Sequence, residues 1–122
     1  VYSYNNIRPP RNVRATDGTI SCCVVVQWDA VDLAVAYDVY RSVSMDGEKI
    51  KIKSIKADYC LSYRYVDTTV TCPNIYYYWI KSIDKKGIAS CGFSLPDSGY
   101  CSACPAEGNT YYQGSIGCLD CD

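Results

Sequence analysis

Nine cysteines and no histidine occur among 122 residues, so thiol chemistry is the first chemistry to consider. Four of the nine close the sequence as two Cys-x-x-Cys units, Cys101/Cys104 and Cys118/Cys121, separated by thirteen residues. Four thiolates at that spacing can hold a tetrahedral zinc ion, and a single Cys-x-x-Cys unit can carry out dithiol exchange. The other five, Cys22, Cys23, Cys60, Cys72 and Cys91, are scattered through the body of the chain. Cysteine at this density in a secreted protein reads as a disulfide framework, and its odd count leaves one sulfur for a free thiol or an interchain link. The lack of histidine removes the usual general base for a Ser or Cys nucleophile, together with mixed Cys/His zinc sites. Asp46, Glu48 and Asp84 sit in turn sequences with no Asp-x-Asp-x-Asp-Gly loop, so turn chemistry accounts for them without calcium. No base, nucleophile pair and cofactor loop occur together. The expectation is a chain that is not an enzyme and carries no cofactor and no metal.

Twelve basic residues against thirteen acidic ones give a net charge of −1, which excludes a broad field for nucleic acid or anionic lipid. The longest apolar run, from Cys22 to Val26, is far short of the roughly 20 residues that span a bilayer, so membrane insertion is not expected. Val1 in place of Met suits a processed N-terminus, the preferred expectation, and a fragment of a longer protein would begin the same way. Together with the cysteines, this places the chain outside the cell or on its surface.

The elements that position these cysteines read as strands. Residues 1–9 form an extended arm running into Pro9-Pro10, where the backbone is pushed toward extended conformations. Strands are expected at 12–15, 22–28, 36–42, 49–55, 63–67, 75–84 and 88–95, with turns at Asp17-Gly18 and Asp46-Gly47. In the second, Cys22, Val24, Val26 and Trp28 share one face and Cys23, Val25 and Gln27 the other. In the third, Tyr37, Val39 and Arg41 oppose Asp38 and Tyr40. The fourth alternates Lys49-Ile50-Lys51-Ile52-Lys53, a strand with one solvated side. Residues 31–36 are apolar but short and read as a loop. Seven short strands with turns at this spacing argue an all-β sandwich.

The sequence from Pro10 to Tyr100 resembles a fibronectin type III domain of the kind found as tandem repeats in secreted bacterial proteins. The resemblance is carried by Val13-Arg14-Ala15-Thr16-Asp17-Gly18, Val26-Gln27-Trp28-Asp29-Ala30, Ala36-Tyr37-Asp38-Val39-Tyr40-Arg41-Ser42, Tyr76-Tyr77-Tyr78-Trp79-Ile80-Lys81-Ser82, Ser94 and Asp97-Ser98-Gly99-Tyr100. It implies a seven-stranded, immunoglobulin-like sandwich over residues 10–100, followed by a small disulfide-rich tail over 101–122. It also implies structural core roles for Trp28, Tyr37 and Tyr76, with Tyr76 as the tyrosine corner whose hydroxyl bonds nearby backbone. No catalytic residue comes with it.

If Tyr76, Tyr78, Ile80 and Ser82 point inward, Tyr77 and Trp79 point outward. The family sets the third and sixth strands side by side, so Tyr40 and Asp38 join them and an exposed aromatic patch follows. Tyr40, Tyr77 and Trp79 are the expected interaction surface, for a neighbouring subunit or for sugar rings. The alternative is that the face merely tolerates outward aromatics, or that the arm covers them.

In this topology Cys22 or Cys23 can reach Cys72 at one pole, while Cys60 and Cys91 gather at the other. A bridge closing some fifty residues would contribute about 4 kcal/mol. Cys23, outward by parity, would suit an interchain link if Cys22 bonds Cys72. Cys104-Pro105-Ala106-Glu107-Gly108, with Tyr111 or Tyr112, Gly114 and Gly117, resembles the small two-disulfide, ephrin-receptor-like repeats of receptor ectodomains. That resemblance implies bridges from Cys101 to Cys118 and from Cys104 to Cys121, with four-thiolate zinc as the alternative.

The expected function is a structural or adhesive module of a filament, surface layer or adhesin, whose partners are copies of itself or neighbouring extracellular subunits. An arm adding a strand to the next subunit's sheet edge would be one such contact. The rival is an accessory module of a secreted enzyme, binding polysaccharide or protein.

Overall fold

Val24, Val26 and Trp28 are wholly buried on one face of a single strand, where the alternation of that segment places them. The computed structural model describes residues 7–104 and the backbone of Gly117–Cys121. Expectations resting on residues 1–6, and on Glu107, Gly108, Tyr111, Tyr112 and Gly114, lie outside the described residues.

Among the described residues there is no helix and there are nine strands: β1 Arg14–Ala15, β2 Asp17–Ser21, β3 Val24–Asp29, β4 Ala36–Ser42, β5 Ile50–Lys56, β6 Cys60–Asp67, β7 Tyr76–Ile83, β8 Asp97–Ser102 and β9 Gly117–Cys121. One sheet has the order β1-β3-β6-β9 and the other β2-β8-β7-β4-β5. This is the all-β, fibronectin type III-like sandwich expected from the sequence. Two additions bring the strand count above seven. The first strand is split, its second part β2 pairing parallel to β8 in the opposite sheet, and β9 adds to β6 antiparallel.

The core is aromatic. The Trp28 ring meets Tyr37 edge-on at 5.7 Å and stacks on Tyr63 at 6.4 Å, while Tyr37 and Tyr63 lie 4.8 Å apart. Val39, Tyr76, Tyr78 and Ile80 complete the inner faces of β4 and β7, and burying each such side chain stabilises the fold by about 1.5–3 kcal/mol. Gly99 lets β8 run close over β1: a Cβ there would stand 2.7 Å from the Ala15 Cβ. The approach is fixed by the Ala15 amide donating to the Asp97 carboxylate at 2.8 Å.

One ionic knot is built into the interior. Asp67, completely buried, accepts from Arg41 at 2.9 Å, the Tyr78 hydroxyl at 2.8 Å, and the Thr69 hydroxyl and amide at 2.7 and 3.0 Å. A carboxylate removed from water needs several donors to hold its charge, and here β4, β7 and the turn after β6 supply them.

The strand that follows β7 is Asp97–Ser102 and not 88–95. The earlier segment contributes a single bridge, Ile83 to Ala89, because serine hydroxyls replace its ladder. The Ile80 amide donates to Ser94 Oγ at 2.8 Å and the Ser82 amide to Ser90 Oγ at 3.2 Å. The return bonds, from the Ser94 and Ser90 amides to the Ile80 and Ser82 carbonyls, remain backbone bonds of 2.9 and 2.7 Å. The segment therefore follows the edge of β7 without strand pairing, and Pro96, with no N–H to give, precedes the regular strand.

Candidate functional site: an open loop pole

Three connections meet at one end of the sandwich: residues 30–35 between β3 and β4, 57–59 between β5 and β6, and the start of the segment after β7. The first two are pinned from inside and the third by its own turn. The Tyr37 hydroxyl accepts from the Val31 amide at 2.8 Å, and the Tyr63 hydroxyl from the Asp58 and Cys60 amides at 3.0 and 3.3 Å. Asp84 Oδ1 accepts from the Lys86 and Ile88 amides at 2.9 and 3.0 Å. The loops are also tied to one another, the Val35 amide donating to the Ile83 carbonyl and the Ala57 amide to the Val35 carbonyl. Burial pushes the Tyr37 phenol up to about 12, against the smaller opposing effect of its Val31 bond, so it is a neutral group at physiological pH.

These fixed loops hold large apolar side chains in solvent. Leu33 is 81% and Tyr59 87% exposed, and Val35, Leu61 and Ile88 are exposed beside them. Leu33 and Tyr59 have φ of +72° and +56°, a left-handed conformation that costs a non-glycine residue roughly 1–2 kcal/mol. Such strain tends to gather where a side chain has to be presented. Between the loops lies a cleft of about 1140 Å³ with Tyr37 and Tyr63 in its lining. Its charges balance: Asp32, Asp58 and Asp84 against Lys56, Lys85 and Lys86.

The aromatic face expected on β4 and β7 is closed. Tyr40 does stand opposite Trp79, but Trp79 is only 4% exposed and Tyr40 and Tyr77 are half-buried. The Lys49 ammonium lies 4.5 Å from the centroid of Trp79. Phe93 meets Tyr40 edge-on at 4.9 Å, with Lys81 4.4 Å above its ring. The patch fails because the segment taken for a seventh strand carries Phe93 back over this face. Trp28, Tyr37 and Tyr76 occupy the core, and the Tyr76 hydroxyl accepts from the Thr71 amide at 2.9 Å.

The disulfide pairings differ from those expected. Cys22 bonds Cys104 and Cys72 bonds Cys101, with α-carbons 4.6 and 5.1 Å apart. The pole assigned to Cys22 and Cys72 was right and their partners were wrong, because β8 starts later than 88–95 and delivers Cys101 and Cys104 to that pole. These bonds replace both the crossing tail bridges and the four-thiolate zinc arrangement. At the other pole Cys60 is in a disulfide, whereas Cys91 is an exposed free thiol. Cys23 is wholly buried, so among the described residues the free sulfur offered to solvent is that of Cys91. The backbones of Cys118 and Cys121 lie in β9, in register with Tyr63 and Cys60. No cluster of three or more metal-ligating side chains occurs among the described residues, and no helix of the described residues is long and apolar enough to cross a membrane.

The sequence reading did not single out the loop pole. Its available signals were the apolar loop 31–36 and the exposed-type placement of Tyr59 and Leu61 around Cys60.

The fold and the pole define a fibronectin type III-like module, and comparison with known proteins agrees at that level. A fibronectin-III-like protein from Clostridium thermocellum superimposes with a TM-score of 0.67 at 21% identity, over 80% of this chain and 95% of that one. A β-1,2-glucanase from Parabacteroides distasonis matches with a TM-score of 0.66 at 16% identity, over 87% of this chain and 14% of the other. In sequence the chain is 35% identical over 79 residues to an amylopullulanase of Thermoanaerobacter thermohydrosulfuricus, a match over 62% of this chain and 5% of that enzyme. The chain thus spans about one twentieth of that curated relative. No family model matches.

Proposed function

We propose that the chain is a non-catalytic accessory module of an extracellular polysaccharide-processing protein, acting by contact through its loop pole. The observation that carries this reading is the pole itself: loops pinned by buried tyrosines that hold Leu33 and Tyr59 out in solvent. Pinned loops lose little conformational entropy on binding, and exposed apolar clusters mark contact surfaces. The amylopullulanase match supports the context, since this chain corresponds to so small a part of that enzyme. Disulfides at Cys22, Cys60, Cys72, Cys101 and Cys104 support an oxidising compartment.

A second reading, a structural or adhesive subunit of an extracellular assembly, is favoured by Cys91, the exposed thiol that could join two copies. Native electrophoresis in gels cast with soluble starch or pullulan, run beside a reducing-sugar assay and size-exclusion with and without reductant, separates the two. A monomer retarded by polysaccharide and releasing no sugar supports the accessory module. A larger species that dissociates with reductant and ignores polysaccharide supports the subunit.

A further inference from the structure

We propose that the loop-pole cleft is a carbohydrate site for a stretch of neutral glucan chain, with Tyr59 as its stacking platform; this rests on the accessory-module reading above. A sugar ring has an apolar C–H face and a rim of hydroxyls, and the cleft offers a partner for each. Tyr59, almost fully exposed, gives an aromatic face, and Leu33, which also lines the cleft, gives an aliphatic one. Their left-handed backbone and the pinned loops beneath them fix where those faces stand.

The polar side of the argument comes from the lining. Tyr37 and Tyr63, buried beneath the loops, fix the cleft's walls by accepting backbone N–H groups, so the polar contacts fall to the charged side chains. Three carboxylates and three ammonium groups of the lining can bond sugar hydroxyls, and their balance favours an uncharged chain over a polyuronate. At about 1140 Å³ the cleft exceeds the roughly 300–1,000 Å³ of a small-ligand pocket, as an extended chain requires.

The test measures affinity for soluble starch, pullulan and polygalacturonate by affinity electrophoresis and calorimetry. It uses the whole chain, its Tyr59→Gly and Leu33→Gly variants, and Ile50→Ser as a control on exposed β5. Glycine accepts the left-handed backbone, so both pole variants should keep the parent melting temperature or exceed it. Expected are binding of the neutral glucans, at least a tenfold loss in Tyr59→Gly, a smaller loss in Leu33→Gly and none in Ile50→Ser. Parent-like glucan binding by Tyr59→Gly would overturn the site and leave the accessory-module reading intact. A preference for polygalacturonate would overturn the neutral-chain assignment. If the parent binds none of the three, the site and the reading beneath it both fail. Self-association lost in Tyr59→Gly, without glucan binding, would reassign the cleft to a second copy of the chain.

Discussion

Replacing the pair Cys22/Cys104 by alanine, and separately the pair Cys72/Cys101, tests whether the disulfide pole carries the stability that its connectivity implies. The two bridges span 82 and 29 residues. Taken alone, the chain-entropy model assigns them about 4.5 and 3.5 kcal/mol at 25 °C. They are nested, however, and with the inner bond in place the outer one closes a path of only some fifty-odd residues, worth about 4 kcal/mol. The outer bond should therefore remain the costlier loss, by roughly half a kcal/mol, and the two together should account for about 7–8 kcal/mol. Against the roughly 5–15 kcal/mol of a whole domain, losing both should leave the chain barely folded at 37 °C. At about 4 °C per kcal/mol, either single pair should lower the melting temperature by about 15 °C. Alanine is the substitution of choice because Cys101 is completely buried and a serine hydroxyl there would add its own desolvation cost. The assay is urea and thermal unfolding of the oxidised proteins, with peptide mapping of the parent under non-reducing conditions. Loss of less than about 1 kcal/mol for either pair would refute the entropic argument, and a Cys101–Cys118 cross-link in the map would refute the connectivity.

Two further outcomes follow from the interior. Arg41→Met strands the completely buried Asp67 carboxylate, and since breaking a buried pair costs about 3–5 kcal/mol a loss near 3 kcal/mol is expected in urea unfolding, Arg41 being partly exposed; a loss below about 1 kcal/mol would mean that Tyr78 and Thr69 alone satisfy the carboxylate. The raised Tyr37 phenol contributes to an alkaline dependence: its folded pKa of about 12 stands above the ordinary 10, so the unfolded chain releases that proton first and the stability this group contributes, constant below pH 10, is lost between pH 10 and 12, alongside that of the burial-raised Tyr65 and Tyr78 phenols. Tyr37→Phe should shallow that fall in a pH series of melts, and an unchanged slope would show that the Tyr37 hydroxyl is not held as described.

What the sequence made legible was whatever depends on alternation. β3, β4 and β7 appear where Val24/Val26/Trp28, Tyr37/Val39 and Tyr76/Tyr78/Ile80 put them, with the inner faces assigned correctly. What it hid depends on side chains standing in for backbone, or on residues breaking their usual conformational habits. Residues 88–95 read as a strand, yet Ser90 and Ser94 take over its hydrogen bonds and free Phe93 to fold across Tyr40. That displacement closed the expected binding face and moved the cysteine partners. The loop pole was invisible for a related reason: left-handed turns announce themselves through glycine or asparagine, and here a leucine and a tyrosine adopt them.

The two ends of the sandwich are held by different means. At one, covalent bonds join Cys22 and Cys72 to Cys104 and Cys101, and the Tyr76 hydroxyl holds the amide of Thr71, next to Cys72. At the other, Cys60 is also in a disulfide, but the loop tips are held from below by the hydroxyls of Tyr37 and Tyr63. A phenol reaching up from the core fixes a loop without occupying the loop's outer side, whereas a disulfide between loop tips would span the surface. Holding loops from beneath is what leaves Leu33 and Tyr59 uncovered, so the open pole follows from where the tyrosines stand in β4 and β6. A disulfide between the tips of loops 30–35 and 57–59 would be expected to stabilise the fold and obstruct the contact surface together.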